Sequence, residues 1–440
     1  MTLASWCALP RLLASIRPNA EIGNGNSTDH AMTSARRQIA FINTAHLLCH
    51  YCLLILPTAV LVMARPGGPF GNEYGPILTL ATGMFVLYGV LSLPQGWLVE
   101  RLGRKAMMAL FLVGTGLSLV ACGFAATPWT LALMLAGAGS FAAIYHPVGT
   151  SMLVEAAGDK PGRSLGVNGA FGNFGVALAP IVTAFVAGHF GWRYAFIAPG
   201  LVFVAIGAAW LSIPAHDYSV RAGGRPFPVI PPALVRRAVI VLLLIAVVSG
   251  LVFNAFTLLL PKLLQERLAS DASLLPVVGA VAFGVTLCGA ATQFLVGRMI
   301  DRHTLRAVFL PCAMVLAPAL LAMAFLDGWM ILPVAGIAAA AIFGQVTLNE
   351  TMTARYIAPP LRARMYSVRF FVGFLGSACA APVVGLLHQR TGSLAVVMIV
   401  LAVVAVVTLG CAMAFPNRKE ELQPELWDQA SPQGMAVAAE

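Results

Sequence analysis

Three histidines and one glutamate stand inside stretches that are otherwise apolar, and they carry the chemistry that a purely structural segment would avoid. His46 and His50 are four residues apart in AHLLCHYC, which puts both imidazoles on one face of a helix. His146 stands directly before Pro147 in AAIYHPVGTSML. An imidazole titrates near pH 6.5, so such a residue can pass a proton or, when charged, hold an anion. Glu350, in QVTLNETMTARY, suits a gate or a proton site, and pairing with Arg355 is the plainer alternative. Asn254, Asn349, Tyr88 and Tyr145 offer contacts to a solute, or else close hydrogen bonds between helices. Cys49 lies between the first two histidines, yet no carboxylate or convergent thiolate set completes a metal site. No metal or other cofactor is expected.

The elements that must position these residues are membrane helices. Of 440 residues, 59% are hydrophobic and only 10% charged, a composition foreign to soluble domains. Apolar runs occupy 39–63, 76–99, 105–126, 128–153, 164–188, 193–213, 237–261, 274–298, 306–326, 328–352, 366–388 and 394–415. Each reaches the roughly 20 residues that span a bilayer as a helix. The runs are continuous and twice too long for the strands of a β-barrel. At about 1.5 Å per residue, His50 falls near the midplane, His46 and His146 about 7 and 9 Å to one side, and Glu350 about 13 Å to that same side.

Charge supplies the orientation. With alternate loops assigned to one face, 22 of the 27 Lys and Arg fall on the face of both termini, which makes that face cytoplasmic. The net charge of +10 is thereby explained by topology, and nucleic acid is not an expected partner. Eight scattered cysteines form no disulfide framework. The expected organisation is a tail (1–38), a six-helix half (39–213), a central cytoplasmic loop (214–236), a second six-helix half (237–415) and a tail (416–440). No cleavable signal precedes the first run, and Met32, opening MTSARRQIAF, is an alternative start.

The halves repeat. GWLVERLGRKAMM (96–108) is echoed by GRMIDRHTLRAV (297–308), with Gly96, Glu100 and Arg101 matching Gly297, Asp301 and Arg302 at an offset of 201 residues. The same offset joins Gly172 to Gly373 and Gly175 to Gly376, while Pro180 and Pro382 miss it by one. A constant offset across four helices indicates duplication of a whole half. The glycines would let helices approach and slide closely.

Twelve helices in two halves, with Gly96, Glu100, Arg101, Gly103, Arg104 and Lys105 between the second and third, resemble the major facilitator superfamily, Glu100 standing where that family usually has Asp. The resemblance implies a cytoplasmic latch. Glu100 would meet the start of the eleventh helix near Arg364, Asp301 the start of the fifth near Arg163, and Arg101, Arg104 or Lys105 would pair with Glu155 or Asp159. A carboxylate at a helix N-terminus gains about 0.3 to 1 kcal/mol from the helix dipole. A narrower resemblance, carried by AAIYHPVGTSML and GVNGAFGNFGVALAP, is to the fosmidomycin-resistance-like branch of drug:proton antiporters. Gly175 and Pro180 match its helix-five motif, and Ala179, Thr183 and Ala184 depart from it.

These readings imply a monomeric, multi-pass protein of a bacterial inner membrane that binds a small solute and protons within the lipid bilayer. The expected activity is proton-coupled efflux of a drug-like or anionic metabolite by alternating access. Uptake of an organic acid or nutrient, and a transporter-like sensor or assembly protein that moves nothing, are the alternatives. No nucleophile and base stand at enzymatic spacing, and no phosphate-binding G-x-x-x-x-G-K-[ST] loop is present, so neither an enzyme nor a nucleotide-driven pump is expected.

Overall fold

The computed structural model describes residues 25–64, 66, 70–157, 161–213, 229–268, 275–423 and 427. The tail before residue 25 and most of the central loop lie outside them. Among the described residues eleven helices are long and apolar enough to cross a membrane, and a bent pair, α2, makes twelve when taken as one span: α1 (Arg36–Met63), α2 (Tyr74–Val90 with Gln95–Leu102), α3 (Arg104–Gly123), α4 (Pro128–Leu153), α5 (Gly166–Phe190), α6 (Trp192–Leu211), α7 (Pro232–Leu268), α8 (Leu275–Ile300), α9 (Leu305–Phe325), α10 (Gly328–Tyr356), α11 (Val368–Thr391) and α12 (Leu394–Ala414). The all-helical expectation holds, and every predicted span has its helix.

Proline decides where the helices break. It offers no N–H to the carbonyl four residues back, and its ring crowds that carbonyl, so the preceding turn opens. Accordingly α1 is interrupted at Leu54 before Pro57, and α2 bends by 68° just ahead of Gln95, in the turn that holds Pro94. Similarly, α4 opens at Ala143 and Ile144 before Pro147, and α11 at Cys379 before Pro382. Pro180 and Pro261 lie in helices that run through. Short loops are closed by side-chain caps. Thr127 and Thr130 cap each other's backbone ahead of α4, while Thr304 and Ser393 accept from the first turns of α9 and α12. Each such cap is worth about 1 kcal/mol.

The duplication is visible in the packing. A Cβ on Gly175 would run into the backbone carbonyl of Leu47, and one on Gly172 would lie 2.7 Å from the His46 ring, so α5 seats directly on α1. In the second half a Cβ on Gly376 would strike the carbonyl of Val247, and Gly373 faces Ala246, so α11 seats on α7 in the same way. These glycines hold helices together within each half, whereas their pattern in the sequence suggests surfaces for sliding.

Between halves the contacts lie at one end and in the middle. At the end away from the Gly96 loop, Gly75 of α2 and Gly385 of α11 pack backbone to backbone, and Gly279 of α8 lies against Pro180 of α5. There Tyr74 donates to the Leu258 carbonyl at 3.3 Å, and Gln389 donates to Glu73 at 3.2 Å. Halfway along, Gly89 admits Phe374, and Asn173 donates to Gln293. Toward the Gly96 loop, Gly96, Gly166, Gly169 and Gly297 have open space where a side chain would stand.

The C-terminal tail expected from residue 416 begins as part of the fold. Asn417 accepts from Thr304 at 2.8 Å, and the buried Glu421 accepts from the Leu305 N–H and, at 2.8 Å, from the Tyr356 hydroxyl. Burial pushes the Glu421 carboxyl up, against the lowering effect of those two hydrogen bonds. Trp427 closes the patch on the Tyr356 ring.

Candidate functional site

The three histidines converge. Their rings lie 4.9 to 5.4 Å apart between centroids, and one ring nitrogen on each falls within 4.8 Å of the others. Helical spacing brings His46 and His50 together on α1, and the opened turn before Pro147 precedes His146 on α4. His46 is buried, whereas His50 and His146 are half-buried.

Hydrogen bonding assigns the roles of the nitrogens. His46 Nδ1 lies 2.7 Å from the Asn168 carbonyl oxygen. A carbonyl only accepts, so Nδ1 carries the proton and Nε2 keeps its lone pair. That lone pair faces His50 Nε2 at 3.1 Å. His146 Nε2 is buried without a hydrogen-bond partner. Tyr145 stacks on His46 at 4.9 Å, and Phe370 of the other half stacks on His146 at 5.6 Å. The cluster therefore lies on the seam between halves.

Other predicted residues have more local duties. Tyr145 donates to the Ile42 carbonyl at 3.1 Å and exchanges hydrogen bonds with the Asn168 side chain, which makes it a buried strut. Tyr88 is buried, its hydroxyl 3.5 Å from Cys49 Sγ and its ring 4.6 Å from Phe374. Asn254 donates to Ser377 of α11 at 2.7 Å and to Gly250 at 3.0 Å, satisfying it between helices. Asn349 is buried, its side-chain amide oxygen without a hydrogen-bond partner. Glu350 is paired with Arg369 of α11; this replaces the pairing with Arg355 that the sequence suggests, because Arg355 instead donates to the Ile300 carbonyl at 3.0 Å at the end of α8. Arg369 lies over Phe370 at 5.0 Å, which connects the acid to the histidine cluster by packing.

The Gly96 loop folds as its residues require. Gly103 has φ of +78°, a left-handed turn that side chains resist, and Arg101 lies over the Trp97 ring at 4.0 Å. Glu100 and Asp301 are exposed, and neither forms an ion pair among the described residues. The side chains of Glu155, Arg163 and Arg364, and all of Asp159, lie outside those residues.

Sequence reasoning missed Asn168, Phe370, Phe374 and Arg369. Asn168 precedes Gly172 by one turn and so shares the face that admits His46, a signal present in the spacing. Phe370 and Phe374 are likewise one turn apart, but aromatic pairs are common packing material and carry no such flag.

The family model described as Major Facilitator Superfamily matches residues 47–289 and 274–432. Membrane sensor protein UhpC of Salmonella typhimurium is 32% identical over 130 residues, 29% of each chain. A gallate transporter of Pseudomonas putida is 29% identical over 166 residues, 37% of this chain and 36% of that one. The match thus spans well under half the length of these curated relatives. A crystal structure of a bacterial homolog to the human lysosomal transporter Spinster, inward-facing and occupied, has a TM-score of 0.70 at 15% identity, covering 91% of this chain and 99% of that one. At that identity the likeness is one of fold.

Proposed function

The chain belongs to the major facilitator superfamily, and from that membership we propose that it is a secondary transporter that moves a small anionic or amphipathic solute by alternating access. The observation that carries the reading is the seam: the halves touch at one end and at mid-depth, and the histidine cluster of one half meets Phe370 of the other. A solute approaching from the Gly96 side would meet His50 and His146 with the Phe370 and Phe374 rings beside them. Rocking of the halves would then close Glu100 and Asp301 onto the helix starts opposite and open the Tyr74 end.

In this reading protons drive the cycle through Glu350. Its side chain is 43% exposed while its partner Arg369 is 9% exposed, so protonation of the acid would remove this ion pair and alter the contact between α10 and α11. Export is the favoured direction, supported by the branch resemblance at Tyr145 to Pro147 and Gly175 to Pro180. The protein would stand as a monomer in a bacterial cytoplasmic membrane with both termini inside.

The match to UhpC supports a second reading, a sensor that binds solute without moving it. Counterflow in proteoliposomes separates the two. Gallate is the first probe, taken from the relative that transports it, followed by a panel of aromatic and sugar acids. Exchange above that of empty liposomes is expected; solutes that stabilise the protein against heat yet never exchange would establish the sensor.

A further inference from the structure

We infer that His46, His50 and His146 form a binding site for one divalent late first-row transition-metal ion, of the class of Zn²⁺, Co²⁺, Ni²⁺ or Cu²⁺. Three observations carry this independently of the transport reading. First, the donors are close to coordination distance. A tetrahedral ion with Zn–N bonds of about 2.0–2.1 Å needs its nitrogens about 3.3 Å apart; His46 and His50 Nε2 stand at 3.1 Å, and all three donors lie within 4.8 Å. A small rotation of the half-buried His50 and His146 rings closes the set.

Second, the outer partner is in place. The Asn168 carbonyl holds the proton on His46 Nδ1 at 2.7 Å, and Tyr145 stacks on the ring. A backbone carbonyl on the far nitrogen is how proteins fix the tautomer and orientation of a metal-bound histidine. Third, His146 Nε2 is buried and unpartnered. Native interiors rarely leave such a nitrogen without a hydrogen or an ion to meet it.

Donor chemistry sets the class of ion. Three imidazoles without a carboxylate suit zinc, copper, nickel or cobalt and exclude a magnesium or calcium preference. Cys49 does not join the set, because its sulfur faces the Tyr88 hydroxyl and the Ala142 carbonyl. Three protein donors leave a coordination position free, the arrangement of an ion that accepts a further ligand and not of a closed structural site. His50 and His146 are the half-buried members, so the free position faces the seam, where a carboxylate or phenolate oxygen of the solute would fill it. Only this last step rests on the transport reading. The repeat argues in the same direction: Gly172 and Gly175 pack on His46 and Leu47 where Gly373 and Gly376 pack on Ala246 and Val247, so the structural counterparts of His46 and His50 are Ala246 and Gly250, and the shared packing does not require imidazoles.

The test uses full-length protein purified in detergent and stripped with EDTA, titrated with Co²⁺ and followed by visible absorption. One Co²⁺ per chain with tetrahedral ligand-field bands is expected, displaced by Zn²⁺. His50→Gln and His146→Gln should each weaken Co²⁺ binding at least about 10- to 100-fold, the loss that removal of an outer partner alone produces, while His303→Gln on an exposed turn should change nothing. His46→Gln is the third variant, but its ring packs on Gly172, so the other two decide the outcome, with monodispersity checked by gel filtration. No tetrahedral band, or binding unchanged in both variants, overturns the site. Solute counterflow with and without EDTA keeps the readings apart: flux without Co²⁺ binding removes the metal alone, and Co²⁺ binding without flux upholds the site and removes the transport reading.

Discussion

Glu350→Gln is expected to uncouple the protein from its proton gradient while leaving solute exchange in place. A one-unit pH gradient coupled to one proton sustains about a tenfold concentration ratio, since one pH unit corresponds to about 1.4 kcal/mol. In the variant that ratio should fall to about 1, and counterflow should continue at a comparable rate. The physical reason lies in the pair: glutamine, like the protonated acid, lacks the charge that pairs with Arg369, so the α10–α11 contact is fixed in its protonated form and the residue no longer takes up or releases a proton. Arg369→Ala has a different signature. It removes the ion pair at a half-exposed carboxylate, so folding should survive, and the acid should titrate without moving Arg369. An unchanged accumulation ratio in Glu350→Gln removes the acid from coupling.

Gly175→Leu is expected to prevent accumulation of folded protein, and Gly169→Leu to be tolerated. The two glycines are six residues apart on α5, yet a Cβ at Gly175 would collide with the Leu47 backbone, whereas one at Gly169 meets nothing within 4 Å. A flexible side chain in the way could move aside; a helix backbone cannot without parting α1 from α5. Overpacking costs about 1–3 kcal/mol when neighbours can adjust and more when they cannot, while changes at open surface stay within about 0.5 kcal/mol. The duplication extends the prediction: Gly376→Leu should fail as Gly175→Leu does, because the Val247 carbonyl occupies the equivalent place. Yield of monodisperse protein and its melting temperature measure both. Normal yields for Gly175→Leu would mean that α1 and α5 are not packed as described.

What can be read in advance follows from whether a feature is local in sequence. The apolar spans each depend only on consecutive residues, and each falls on a helix. The paired glycines are visible through their common offset, but their partners are not, since Leu47 and Val247 contribute only backbone to the contact. Glu350 illustrates the limit. Arg355 is its neighbour in sequence, but five residues along a helix turn a side chain away, and Arg369 arrives from α11. His146 lies 96 residues from His50, so a third imidazole in the cluster can be suspected from helix order but not positioned. The asymmetry between halves is the more general lesson: the packing glycines repeat, whereas His46, His50 and Glu350 align with Ala246, Gly250 and Gly149. The framework is duplicated and the chemistry is not.

Alternating access is the central claim, and paired spin labels across the halves test it most directly. One pair replaces Leu102 and Leu361 near the Gly96 loop, the other Phe190 and Val277 at the opposite end, all four being exposed positions. In lipid, the account predicts two exchanging populations with opposite signs: one with the first pair far apart and the second close, and one with the first close and the second apart. Glu100→Gln should deplete the latter. A single distance for each pair, unmoved by pH, solute or Glu100→Gln, would contradict the account.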